Sequence, residues 1–321
     1  MRSSASSATD LTLAFTRKRQ CRTSDRLAPM AASGEPVGEG TLELDDGRAL
    51  GYAEYGQPDG APIVYLHGMP GSRLDPAALD EEYRQLGARV VALERPGYGL
   101  SSSRRSWGLL DWPADVAAAA DRLELERFAV IGYSSGGKYA AACAYALPDR
   151  LTGTAIVSGV GPPTTPNFRE GLGRTDRLSM TLARRVRPLA HIYWRIARSM
   201  AERRPESFLG EFEKELSEPD KAVFAEPEVR KFLLAISREA LRGGAMGMVQ
   251  DSAIQARNWG FELEEIQAPV HLWHGDSDEI VPLHHSKHAA EKIPNATLTV
   301  FKGVGHLVAS RFREVAAALI R

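Results

Sequence analysis

The chain has 321 residues, room for two average domains or for one large domain carrying an insertion. Forty basic residues against 41 acidic ones leave a formal net charge of −1, which removes the electrostatic footprint of a nucleic-acid binder. Two cysteines, Cys21 and Cys143, make neither a disulfide scaffold nor a cysteine-rich zinc site, so a reducing, cytoplasmic setting is the default.

The first 30 residues carry six basic residues (Arg2, Arg17, Lys18, Arg19, Arg22, Arg26) against two acids. That composition suits an organelle-targeting leader, but no amphipathic stripe accompanies it. An unstructured tail, or a start codon placed ahead of the true one at Met30, fits better, and residues 1–38 are set aside from the fold. From residue 41 the texture changes. Segments 41–44 and 48–55 flank Asp45-Asp46-Gly47, a hairpin signal. Short apolar runs follow at 62–66, 89–93, 128–131, 154–157, 270–273 and 296–301. Helical patterns lie at 76–86, 113–125, 135–147, 282–293 and 306–320. Continuous apolar strands alternating with helices predict an α/β protein, its mostly parallel sheet covered on both faces.

The alternation stops near Gly161 and resumes near Gln267. Between them Leu178, Leu182 and Val186 step by four, as do Ile192, Ile196 and Met200. Phe208, Phe212 and Leu216 follow Pro205, and Val229, Phe232, Leu233 and Ile236 follow Pro227. Each stripe predicts an amphipathic helix that packs its apolar side and shows Arg, Lys and Glu to water. Residues 161–258 are therefore expected to form a helical insertion, or cap, in a core made of 39–160 plus 259–321. The charge-free stretch 151–168 is interrupted by Gly153, Gly159, Gly161 and three prolines, so it does not predict a membrane span.

The chemistry concentrates at the ends of strands. The run 128–131 leads into Gly132-Tyr133-Ser134-Ser135-Gly136 and then an alanine-rich helix, which is G-x-S-x-G in its required strand–turn–helix setting. Small residues at Gly132 and Gly136 suit the tight turn that would lift the Ser134 hydroxyl to the sheet edge. The Ser135 amide, opening the helix, would face a developing oxyanion. A phosphate-cradling loop would need Ser or Thr where Tyr139 stands, and the S-x-x-K at 135–138 lacks its Lys-Thr-Gly companion. The strand at 270–273 ends in an acidic segment with Asp276 and Asp278, and the strand at 296–301 leads to His306. Ser, Asp and His in that order, each after a strand, is the arrangement a serine nucleophile with a base and an orienting acid needs. Upstream, Gly68-Met69-Pro70-Gly71 follows the strand at 62–66 and would set the Met69 amide opposite that of Ser135. His67 is expected to be a hydrogen-bonded structural residue, and the glycine-rich turn after Glu94 a shaping element.

Taken together, HGMPGS at 67–72, ERPGYGLS at 94–101, GYSSGG at 132–137, GDSDEIVP at 275–282 and GVGH at 303–306 make the chain resemble an α/β-hydrolase with a helical cap, from about residue 41 to 321. Glu94 departs from the family's usual Asp. The resemblance implies an eight-stranded α/β-hydrolase sheet and a Ser134–His306–Asp278 triad, with Asp278 rather than Asp276 as the acid. It also implies an oxyanion hole from the Met69 and Ser135 amides, and neither cofactor nor metal. His284 and His288, spaced i,i+4, are read as a solvated helix face rather than a zinc site. Lys138 is expected to bond nearby carbonyls, and Cys143 to be buried and inert. Carboxylic ester hydrolysis of a small organic substrate is the expected activity, with no nucleic acid and no integral membrane segment. C–C, lactone or amide hydrolysis and cofactor-free haloperoxidase or lyase chemistry are alternatives within the fold. A non-catalytic small-molecule receptor is the alternative outside enzymology.

Overall fold

The computed structural model of the protein describes residues 34–320. The tail expected at 1–38 therefore lies outside the described residues up to position 33. From there the chain is already tied to the sheet domain: the Gly34 amide donates to Ala77 O at 2.9 Å and that of Val37 to Glu54 O at 2.8 Å. The core thus starts ahead of residue 39.

Eight strands form one sheet: β1 (Gly38–Glu43), β2 (Ala49–Gly56), β3 (Ala61–Leu66), β4 (Ala88–Leu93), β5 (Phe128–Tyr133), β6 (Leu151–Val157), β7 (Val270–Gly275) and β8 (Ala296–Phe301). Their order is β1-β2-β4-β3-β5-β6-β7-β8, with β2 antiparallel to both neighbours and the pairs from β4 to β8 parallel. Side chains alternate faces along each strand, so the core splits in two. Val64, Leu66, Val91, Leu93, Phe128 and Val130 pack under α2 (Trp112–Arg122), α3 (Gly137–Ala146) and α10 (His284–Lys292). Their neighbours Ile63, Tyr65, Val90, Ala92 and Ile131 pack under α1 (Asp80–Leu86) and α11 (Phe312–Leu319). Both faces are covered, which is why the central strands are continuous apolar runs.

Two helical expectations need correction. The pattern at 76–86 is a single 3-10 turn (Asp75–Leu79) followed by α1, which Gly87 closes in the left-handed conformation at φ 67°. The helix expected from His306 begins only at Phe312, after another short turn at Ala309–Arg311. The amides of His306 and Leu307 donate to the Asp220 carboxylate at 2.8 Å each, so a distant side chain holds this segment out of the helix.

Between β6 and β7 lie α4 (Arg174–Arg185), α5 (Arg187–Arg203), α6 (Pro205–Glu213), α7 (Glu218–Phe224), α8 (Pro227–Ala240) and α9 (Met246–Gln255). Of the stripes read from the sequence of α4 and α5, Leu182 packs against the buried cluster around Trp194, but four members face outward. Leu178, Val186, Ile192 and Ile196 are 44–55% exposed, whereas Met180, Ala183, Ala190, Trp194 and Ala201 are buried. Small alanines let α4 and α5 approach each other, leaving the larger Leu178, Ile196 and Met200 to line a cavity. Helix α9 departs furthest from amphipathicity, with every residue from Gly247 to Gln255 buried, including Gln250, Asp251 and Ser252.

The split between core and exposed apolar residues sets a stability test by thermal or denaturant unfolding. Ile63→Ala, emptying a fully buried site, should cost about 2–5 kcal/mol. Ile192→Ala, half in solvent, should stay within about 0.5 kcal/mol of the parent.

Candidate active site

Strand β5 delivers Ser134 at its carboxyl end, and the turn into α3 is sharp enough to force Ser134 to φ 52°. That conformation is costly for a residue with a side chain and persists where its surroundings over-determine it. Here they do. A methyl group added at Gly136 would sit 2.1 Å from Leu66 O, and one at Gly132 2.5 Å from Gly136 O. The glycines at both motif positions therefore let β5, α3 and the end of β3 close on one another.

His306 reaches the serine from the loop after β8. Its Nε2 lies 3.0 Å from Ser134 Oγ, and its Nδ1 lies 2.7 Å from Asp278 Oδ2. Both ring and hydroxyl are almost wholly enclosed. Burial by itself would lower the His306 pKa, but the adjacent Asp278 carboxylate, with Asp220 and Asp176 beyond it, outweighs burial and raises it above 6.5. Burial would conversely raise the pKa of Asp278, and the His306 and His274 rings beside it hold it below the usual carboxylate range. The second oxygen of Asp278 accepts the amides of Ile280 and Val281 at 2.9 and 2.8 Å, which fixes the acid in place. Asp276 turns elsewhere, bonding the Gly303 amide at 2.8 Å and Lys302 at 3.2 Å. Of the two acids considered, the geometry brings Asp278 to the histidine.

The loop after β3 lies against the serine: a methyl group on Gly68 would rest 3.4 Å from Ser134 Cβ. His67 is buried, its Nε2 accepts the Arg95 amide at 3.3 Å and its Nδ1 donates to Gly68 O at 2.9 Å, and burial drives its pKa well down. It is a neutral structural histidine, as expected. Glu94 is also buried, held by Arg73 Nη1 at 2.9 Å and the Leu100 amide at 2.7 Å. Its longer side chain fits because Gly51 and Gly99 carry none: a methyl group there would fall 2.4 and 2.0 Å from its carboxylate.

Several residues of the site escaped the sequence. Asp220 of α7 holds the His306 backbone, and a methyl group on Gly305 would collide with its carboxylate at 2.1 Å. His274 sits 3.3 Å from Asp278 Oδ2, and its Nε2 donates to Val281 O at 2.7 Å. Asp251 of α9, fully buried, meets Arg95 and Lys138, each at 2.7 Å. Lys138 does bond a carbonyl, that of Ser135 at 3.1 Å, and burial lowers its pKa to about 8. None of these acids belongs to a motif, and their partners lie far off in the chain, so no local signal marks them. Cys143 is buried and burial raises its thiol pKa, which leaves it protonated and unreactive. His284 and His288 are partly covered on α10, and no cluster of metal-ligating side chains occurs among the described residues.

Ser134 and His306 open on a cavity of about 430 Å³. Its far wall is aromatic and aliphatic, built by the inserted helices with Tyr193, Trp194, Phe208, Phe212 and Ile236. Four further acids line it, Asp75, Asp176, Glu211 and Glu215. Burial raises the pKa of Asp75 to about 7 and that of Asp176 to about 6, the latter against the pull of His306. A nucleophile within reach of a base, the base held by an acid, and an enclosed apolar space beside them can support acyl transfer.

The family model for the alpha/beta hydrolase fold matches residues 61–310. A non-heme chloroperoxidase of Streptomyces lividans is 28% identical over 280 residues, covering 86% of this chain and 96% of that protein. A bifunctional esterase/perhydrolase of Acinetobacter calcoaceticus is 27% identical over 278 residues, 83% of this chain and 92% of its own. An esterase from Exiguobacterium antarcticum has the same fold, with a TM-score of 0.67 at 19% identity over 88% of this chain and 99% of that one. Among the described residues no helix is long and apolar enough to cross a membrane. With most of its length matched, from the third strand to the segment beyond His306, the chain belongs to the alpha/beta hydrolase fold family and is a hydrolase of that family.

Proposed function

We propose that the protein hydrolyses a carboxylic ester of a small, mainly apolar substrate through an acyl-enzyme on Ser134. The observation that carries this is the unbroken chain from Ser134 Oγ to His306 Nε2 at 3.0 Å and from His306 Nδ1 to Asp278 at 2.7 Å, opening on the apolar cavity. His306 takes the hydroxyl proton as Ser134 attacks the ester carbonyl, and Asp278 stabilises the imidazolium that forms. The Met69 and Ser135 amides receive the tetrahedral oxyanion. His306 returns the proton to the departing alcohol. A water, deprotonated by the same ring, then releases the acid. Residues 161–258 act as a cap whose α4, α5, α6 and α8 shape the acyl pocket, and the remainder forms the catalytic core.

A second reading has a specific support. The names of the chloroperoxidase and the esterase/perhydrolase relatives suit an acyl-enzyme that hydrogen peroxide attacks in place of water, giving a peracid and free Ser134. Assaying peracid release beside ester hydrolysis on one preparation separates the two by their ratio.

A fluorophosphonate probe should label the wild type and leave Ser134→Ala unlabelled, with ester turnover lowered roughly 10⁵–10⁶-fold in the variant. A folded wild type that resists the probe refutes the assignment. Asp278→Asn should lose about 10³–10⁴-fold in kcat, whereas Asp276→Asn should keep most of its turnover. The opposite ranking would transfer the acid's role to Asp276.

The pH profile follows from the sign of the His306 shift. The base works when neutral and its pKa is raised, so kcat/KM should fall as pH drops through a midpoint above 6.5. Asp278→Asn removes the anion that raises it, and its residual activity should show the acid limb at lower pH. An unmoved midpoint would detach that limb from the His306–Asp278 pair.

A further inference from the structure

Arg95 and Asp251 take no part in the proton transfers described above, yet both are fully buried beside them. The Arg95 guanidinium bridges two groups of atoms. Its Nε and Nη2 donate to Asp251 Oδ2 at 3.0 and 2.7 Å, while Nη1 donates to His67 O at 2.5 Å and Nη2 to Gly68 O at 2.8 Å. Gly68 O belongs to the same peptide unit as the Met69 amide. In a planar trans peptide the C=O and N–H point in opposite directions. Pinning Gly68 O on Arg95 therefore turns the Met69 N–H away from the guanidinium. Gly68 itself lies against Ser134, so this peptide borders the nucleophile.

The same carboxylate reaches the other half of the proposed hole. Asp251 Oδ1 pairs with Lys138 Nζ at 2.7 Å, and Lys138 donates to Ser135 O at 3.1 Å and Ser135 Oγ at 2.6 Å. Tyr98 and Tyr139 hydroxyls complete the coordination of Asp251 at 2.8 Å each. One anion from α9 thus orders two cations from the core, and each cation holds the backbone of one proposed oxyanion donor. Fold stability alone is a weak reason for such a cluster, because apolar replacements of similar shape often match a buried ion pair.

We infer that Arg95, fixed by Asp251, is a positioning residue for the Met69 amide, and that this pair couples the last helix of the insertion to the oxyanion hole. The inference rests on the ester-hydrolase reading. It makes the inserted segment part of the catalytic architecture as well as a cavity wall: displacing α9 would release Arg95 and let the Gly68–Met69 peptide rotate.

The test compares Arg95→Met and Arg95→Lys with the wild type in the full chain, using p-nitrophenyl butyrate turnover and the affinity of a boronic acid whose tetrahedral oxygen occupies the oxyanion site. Arg95→Met leaves Asp251 paired with Lys138, so no lone carboxylate is stranded in the core. It should lower kcat by about 10²–10³-fold and weaken boronate binding in parallel, with KM within about threefold. Arg95→Lys, which keeps the charge but not the fork that spans both carbonyls, should fall in between. If Arg95→Met does not fold by circular dichroism, Arg95→Lys decides alone, with a loss of about tenfold or more in kcat and boronate affinity expected. A folded variant with kcat within threefold of the parent, or with kcat lowered while boronate affinity holds, overturns the inference. An active, boronate-binding wild type keeps that outcome separate from failure of the ester reading, since a wild type that does neither removes both.

Discussion

The site depends on one strained turn. Ser134 stands at φ 52° between β5 and α3, a conformation a residue with a side chain adopts under compulsion. The compulsion is steric and comes from three sides: the end of β3, the bare backbone of Gly132 and Gly136, and the first turn of α3. Because β3 and β5 are parallel neighbours, the loop after β3 and the serine after β5 leave the sheet at the same edge. The loops after β7 and β8 leave it there too, which brings Asp278 and His306 to the same edge as Ser134.

Electrostatics then refine what the sheet assembles. Buried charges are costly unless paired and hydrogen-bonded, and three carboxylates around the site are. Asp278 has two backbone amides and a histidine; Asp251 has Arg95, Lys138 and two tyrosine hydroxyls; Asp220 has the His306 and Leu307 amides. Two of these three carboxylates come from the inserted helices. The insertion therefore reaches under the cavity, where Asp220 holds the histidine loop and Asp251 holds the arginine behind the Gly68–Met69 peptide.

How far the sequence could be read depends on the range of the forces involved. Hairpin, strands and the turn at Ser134 are local: apolar runs, an Asp-Gly turn and two small residues suffice to announce them, and their edges moved by only a few residues. The histidine segment has a helix-like pattern, which Asp220, a residue 86 positions away, overrules. The apolar stripes of α4 and α5 were real, but the sequence could not say which side of each helix meets protein. Met180, Trp194 and three alanines form the packed side, and Leu178 and Ile196 are left for the cavity.

By itself, the sequence determined the α/β alternation, the serine turn, and the order in which serine, acid and histidine follow their strands, since each is written in neighbouring residues. Tertiary structure decided which of two aspartates faces His306, which way the inserted helices turn, and how Asp251 joins Arg95 and Lys138. Those outcomes hinge on contacts between residues 28 positions apart for Asp278 and His306 and 156 apart for Arg95 and Asp251. Local propensity carries no information on that scale; the packing of the whole chain does.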